Sequence, residues 1–383
     1  MSAAPPPPLS RWRLAFRRLV QSVLLLSVSG IIALVLAEVL VRLFAPQQLI
    51  QIRPDLWMPA DSVGWLRRPN ATVRINTGER GVSVYSDAEG YRVGQGGRRE
   101  APVRVLLLGD SFMEALQVDY EQSTAALLEQ GLSERLRRGV AVRNAGVAGW
   151  SPNQYLIRAR QLLARDTFDL VVVAIFVGND AVSMRIPYLP PREAVRRHSL
   201  RLPRRLAWSE FTDALLKPLN DALEVRSHLY TLLKNQLATV RMRLGMTADY
   251  LPIQYQRTEA SSPRWQITAE LSRDLAAAAR ARGTPALFVL VPERIQVYEE
   301  DFQRHLRGFN IDSTTVDIDQ PTMKLRETLG AQQLNVLDAL PAFRASAHRG
   351  PRLFGIVDQH LSPDGHRVLA DTLAVEAARL MTR

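Results

Sequence analysis

The sequence predicts an α/β protein built on a parallel sheet that helices cover on both faces. Val103 to Leu108 and Asp169 to Phe176 are apolar runs, nearly uninterrupted and bounded by turn residues, the pattern of strands buried on both sides. Val140 to Asn144 is a third, shorter run. Helically spaced stretches separate them, and alternation of strand and helix is the mark of a parallel sheet with helical crossovers.

The chain opens on a Pro-rich tail, residues 1–10, expected to be disordered. Leu19 to Ala37 is apolar apart from Gln21, Ser22, Ser27, Ser29 and Gly30. Continued to Phe44, it exceeds the roughly 20 residues that cross about 30 Å of hydrocarbon. Arg11, Arg13, Arg17 and Arg18 precede it, which predicts a cytoplasmic N-terminus, one pass through the inner (cytoplasmic) membrane, and everything after Phe44 on the extracytoplasmic, periplasmic side. A cleaved signal peptide is the alternative. Its apolar core would be only about 7–15 residues long, whereas this run is longer and is followed by Glu38, Arg42 and Pro46. Glu38 and Arg42, four apart on a helix, are placed to pair at the outer interface.

Residues 45–100 form a polar connector with strand-like pieces at Thr72 to Ile75 and Val82 to Tyr85 and a Gly- and Arg-rich loop at Arg92 to Arg99. The connector is expected to pack on the main domain, 101–383, rather than stand alone. Within that domain helices are expected at Glu121 to Arg137, Pro152 to Arg165 and Trp265 to Arg282, with strands at Pro285 to Val291 and Leu334 to Leu337. Helical pieces around Glu299 to Arg307 and Gln320 to Leu329 and a terminal helix complete it. An insertion at 185–264, helical by pattern over Phe211 to Leu244, interrupts the alternation.

Composition narrows the chemistry. The 383 residues include 46% apolar ones and no cysteine, which supplies a sizeable core and excludes disulfides, thiolate metal sites and a cysteine nucleophile. The net charge is +11, and 185–257 holds 13 Lys and Arg against 6 Asp and Glu. Such a stretch is a solvated face or a surface for anionic headgroups or an acidic polysaccharide. No nucleic-acid-binding motif accompanies the charge, so no nucleic-acid partner is expected. The sequence has no Gly-rich phosphate loop and no His-Glu-x-x-His, so no cofactor and no metal are expected.

The first strand runs into Gly109-Asp110-Ser111, which places a serine just past the carboxyl end of a buried strand, where α/β sheets hold their ligands. A serine hydroxyl needs a base, normally a histidine oriented by a carboxylate. Of the six histidines, His360 follows Asp358 by two in the loop before the last helix, while His366 begins that helix. Acyl transfer also needs donors for an oxyanion. Asn144 to Ser151 and Gly178-Asn179-Asp180 follow the second and third strands and should open at the same sheet edge.

These blocks together resemble the SGNH (GDSL-type) hydrolase family, with a membrane-tethered subgroup as the nearer likeness. Gly109-Asp110-Ser111 is similar to its first block, Asn144 to Ser151 to the second, Gly178-Asn179-Asp180 to the third, and Asp358 with His360 to the last. The resemblance implies a three-layer α/β/α sandwich on a flavodoxin-like parallel sheet of about five strands. It makes Ser111 the nucleophile, His360 the base and Asp358 its orienting acid, with an oxyanion hole of the Ser111 and Gly149 N–H groups and the Asn179 side chain. Two departures stand out. The last block is Asp-x-His rather than Asp-x-x-His, and Glu114-Ala115-Leu116 lies where relatives often have a glycine. Gly146 competes with Gly149 for the oxyanion position. The expected activity is that of a membrane-anchored serine esterase acting on O-acetyl groups of an extracytoplasmic glycan. An O-acyltransferase with the same site and a non-catalytic envelope scaffold are the alternatives. The expected partners are an ester-bearing substrate and the membrane.

Overall fold

The computed structural model describes residues 11–47, 49, 53, 55–183, 219–220, 222–223, 226–243, 253–309, 311–356 and 358–382. The Pro-rich tail and most of the basic insertion lie outside them. A 34-residue helix, α1 (Arg11–Phe44), comes first. The connector forms a hairpin of β1 (Trp57–Ala60) and β2 (Gly64–Arg67), then β3 (Thr72–Asn76), β4 (Gly81–Ser86) and β5 (Arg92–Val93). The alternating region follows with β6 (Val103–Leu108), α2 (Ser111–Glu114), α3 (Thr124–Leu136), β7 (Val140–Asn144), α4 (Pro152–Arg165), β8 (Leu170–Phe176) and α5 (Asp180–Ser183). After α6 (His228–Arg243) come α7 (Arg264–Arg280), β9 (Ala286–Val291), α8 (Arg294–Val297), α9 (Glu299–Phe309), α10 (Gln320–Ala331), β10 (Asn335–Asp338), α11 (Leu340–Ala347) and α12 (Pro363–Met381).

The parallel strands lie in the order β10-β9-β8-β6-β7. In chain order among themselves this is 2-1-3-4-5, the flavodoxin-like arrangement, whose switch point lies beside the first strand. Apart from the edge strand β10, whose residues are exposed or half-buried, the strands are buried on both faces because their side chains alternate between two cores. Val103, Val105 and Leu107 of β6 join Val172 and Ala174 of β8 and Leu287 and Val289 of β9 on one face, under α3, α11 and α12. Leu106 and Leu108 join Val171, Val173 and Ile175, Phe288 and Leu290 on the other, under α4, α7 and α10. The result is a three-layer α/β/α sandwich.

The sheet continues past the parallel part. Arg92 of β5 pairs antiparallel with Asn144 of β7, and β4 and β3 follow, so the full sheet has eight strands. The stretch read as an Arg92–Arg99 loop therefore begins with a short strand, too brief to show a period of two. Expected helix Glu121 to Arg137 is also cut: Ser123 is an extended N-cap whose side chain accepts from Ala126 N–H, and α3 starts after it. α1 is long and apolar enough to cross a membrane.

Candidate active site

Each candidate residue is delivered by the end of a parallel strand or by the loop before α12. Ser111 is the first residue of α2 and follows β6 after a two-residue turn. Asp110 caps that turn, its Oδ1 accepting from Phe112 N–H at 2.9 Å. His360 sits in the closing loop, where its carbonyl accepts from Gly355 N–H at 3.0 Å and the neighbouring Leu361 is buried. Ser362 then caps α12, accepting from Gly365 N–H at 3.2 Å, with Pro363 in the first turn where its missing N–H costs nothing.

His360 Nε2 lies 2.8 Å from Ser111 Oγ, and its Nδ1 lies 2.5 Å from Asp358 Oδ1. The same carboxylate oxygen accepts from His360 N–H at 3.0 Å, so a spacing of two residues is closed by one tight loop. With the carboxylate at Nδ1, the Nδ1–H tautomer is favoured and Nε2 is left to accept the serine proton. Phe112 backs the imidazole at 4.8 Å between ring centroids and stacks in turn on Phe176. Glu79, in the turn between β3 and β4, accepts from Asp358 N–H at 3.1 Å and ties the connector to this loop.

The charges follow the geometry. Burial opposes a charged imidazole at His360, but the Asp358 charge and hydrogen bond outweigh it and raise the pKa above its ordinary value. Burial would likewise raise Asp358, yet the charge and hydrogen bonds of His360 hold it below the usual carboxylate range. Burial pushes Asp110 up to about 6. It also raises Asp180, with the Asp110 charge adding to the effect.

Gly146 and Gly149 are placed differently. Gly146 N–H already donates to Asn144 Oδ1 at 3.0 Å, and a Cβ there would come within 2.7 Å of Met113 Cβ. This glycine lets the loop pack on α2. Gly149 has φ +77° and an N–H without a partner among the described residues. Asn179 is exposed at the end of β8, and its side-chain amide has no partner among the described residues. Asp180 is buried, its Oδ2 accepting from Tyr155 Oη and Phe176 N–H, both at 3.0 Å. His366 lies elsewhere, its Nδ1 2.8 Å from Thr124 Oγ1.

Sequence reasoning missed the support beneath the site. Glu114 is fully buried and pairs with Arg67 at 3.0 Å, while its Oε2 accepts from Ala148 N–H at 2.6 Å. The available signal was an acid within the apolar run Phe112 to Leu116; nothing in the sequence named Arg67 as its partner. Gln254, at the return from the insertion, donates to the Gly178 carbonyl at 2.5 Å. Among the described residues no cluster of three His, Asp or Glu side chains could hold a metal ion.

Residues 250–382, which include the Asp358–His360 loop, match a family model described as an SGNH hydrolase-like domain, acetyltransferase AlgX. Over that third of its length the chain is similar to an SGNH hydrolase-like domain. Among solved structures, the chain is similar to TesA, at 14% identity over 72% of this chain and 99% of that one, TM-score 0.37. It is also similar to a form of Axe2, an acetylxylan esterase from Geobacillus stearothermophilus, at 15% identity over 73% and 95%, TM-score 0.39. A member of the lipolytic protein G-D-S-L family from Veillonella parvula is similar at 9% identity over 71% and 96%, TM-score 0.36. No curated protein sequence matches the chain.

Proposed function

We propose that the protein is a membrane-anchored serine esterase that removes O-acetyl groups from an extracytoplasmic glycan. The observation that carries the proposal is the relay from Ser111 Oγ through His360 to Asp358, with distances of 2.8 and 2.5 Å. Ser111 Oγ attacks the ester carbonyl as His360 Nε2 takes its proton. The N–H groups of Ser111 and Gly149 and the Asn179 amide stabilise the oxyanion. The bond to the sugar oxygen breaks, and His360 returns the proton to that oxygen. Water then attacks the acyl-serine with His360 as base, releasing acetate and free Ser111. Ser111 and His360 both reach solvent, which favours water as acceptor.

The family match favours a second reading, in which a sugar hydroxyl takes the acyl group from Ser111 in place of water. Both readings share every step up to the acyl-enzyme. The test is how product partitions when the full chain is given an activated acetyl ester with and without oligosaccharide. Acetate release indifferent to the sugar supports the esterase. Acetylated sugar formed at the expense of acetate supports the transferase. Unchanged turnover in Ser111→Ala overturns both.

A further inference from the structure

We infer that α6 is an interfacial helix whose apolar stripe lies in the outer leaflet of the bilayer that α1 spans. Leu19 to Ala37 covers about 28 Å at 1.5 Å per residue, close to the hydrocarbon thickness, so Glu38 falls at the outer rim of the membrane.

Glu38 joins α1 to α6. Its Oε1 accepts from His228 N–H at 2.9 Å and from Arg42 Nε at 2.7 Å. Its Oε2 accepts from Leu229 N–H at 2.9 Å and from Ser227 Oγ at 2.7 Å. Arg42 in turn donates to the Arg226 carbonyl at 2.9 Å, and Gln47 N–H donates to His228 Nδ1 at 2.8 Å. A carboxylate on the open amides of a helix start satisfies donors that otherwise need water, and it complements the helix dipole. The start of α6 is thus fixed at the level where α1 leaves the membrane.

From there α6 leaves the protein body. Thr231 is buried and Leu232 half-buried, but Leu233 to Leu237 are all exposed. Leu233, Leu237 and Val240 are 58, 51 and 49% exposed and share one helical face with Leu229. The sequence from Arg226 to Arg243 holds Arg226, Lys234, Arg241 and Arg243 and no acid. An apolar stripe on a helix of basic sequence, begun at the rim of a membrane span, fits lipid with anionic headgroups.

The inference rests on α1 remaining as the anchor, and the absence of cysteine makes it testable. Single cysteines replace Leu233, Leu237, Val240, Lys234 and Asn235 in the full chain. Each variant is reconstituted in vesicles of phosphatidylethanolamine and phosphatidylglycerol and labelled with a nitroxide. The ratio of oxygen to nickel-chelate accessibility should be several-fold higher at the first three positions than at Lys234→Cys and Asn235→Cys. Equal nickel access at all five would put α6 in water. Exclusion of both reagents from the stripe would put a protein against it. Either result overturns the inference while leaving the anchor intact. Recovery of a chain lacking α1 would overturn the anchor and the inference together.

Discussion

Arg67 and Glu114 form an ion pair 3.0 Å apart with both side chains wholly out of solvent, directly beneath the loop that carries Gly149. Arg67 also donates to the carbonyl of Gly146, so one guanidinium and one carboxylate hold that loop at Gly146 and Ala148, just before Gly149. Two buried charges are tolerable only when paired, and removing one leaves the other uncompensated at a cost of about 3–5 kcal/mol. Glu114→Ala should therefore lower stability by that amount and reduce turnover by loosening Gly149. Glu114→Gln, which keeps an acceptor for Ala148 N–H, should lose less. Urea denaturation midpoints beside kcat check both.

Titration of His360 should set the acid limb of activity. The imidazole must be neutral to take the Ser111 proton, and its raised pKa places that limb above the ordinary histidine value. The Asp358 carboxylate is the cause, so Asp358→Asn should move the limb down and cut kcat on the order of a thousandfold or more. Stability follows the same sign. A raised histidine pKa contributes stability that is fully present below the unfolded value and is lost as pH rises through the folded one. That contribution should vanish in Asp358→Asn. A pH–rate profile unchanged by the substitution would contradict the assignment.

The two loop glycines should separate in their effects. Gly146→Ala puts a Cβ within 3.0 Å of Glu114 N and closer to Met113, contacts with rigid neighbours, so its main effect should be on folding. Gly149→Ala meets only the Trp65 ring edge at 3.1 Å but must hold φ +77°, a cost of about 1 kcal/mol or more. Any shift of that backbone would move the proposed oxyanion donor, a loss of about a hundredfold or more in kcat. Gly149→Ala should therefore lose more activity than stability, and Gly146→Ala the reverse. Thermal melts beside turnover decide between them.

The parallel sheet was legible because buried strands are written as contiguous apolar runs, and β6 and β8 depend on little else. The eight-stranded extent was not, since β5 pairs with β7 through a single residue couple, Arg92 with Asn144, and the sequence between them gives no pairing signal. Ser111, Asp358 and His360, which the fold brings together, could be proposed from the sequence because each sits in a short local pattern. Arg67 could not, because its partner is 47 residues away. Gln254 and Glu79 escaped for the same reason. They reach the site through contacts that exist only once the chain is folded, and an isolated Gln in the insertion or Glu in the connector looks like solvated surface.

The two histidines of the closing segment should part most clearly. His366 is buried against Thr124, and burial, with the Arg92 charge adding to it, pushes its pKa down to about 3. Its unfolded form binds a proton near pH 6.5 and its folded form does not, so stability should rise with pH between about 3 and 6.5. His366→Ala should flatten that slope while costing about 1–3 kcal/mol at neutral pH through lost packing. Its kcat per folded molecule should stay close to that of the unaltered chain. His360→Ala should do the opposite, leaving the His366 slope in place and removing turnover on the order of a thousandfold or more. Denaturation followed across pH, with activity measured on the same samples, reads both effects. If His366→Ala abolished turnover in folded protein while His360→Ala retained it, the base would have to be reassigned to His366.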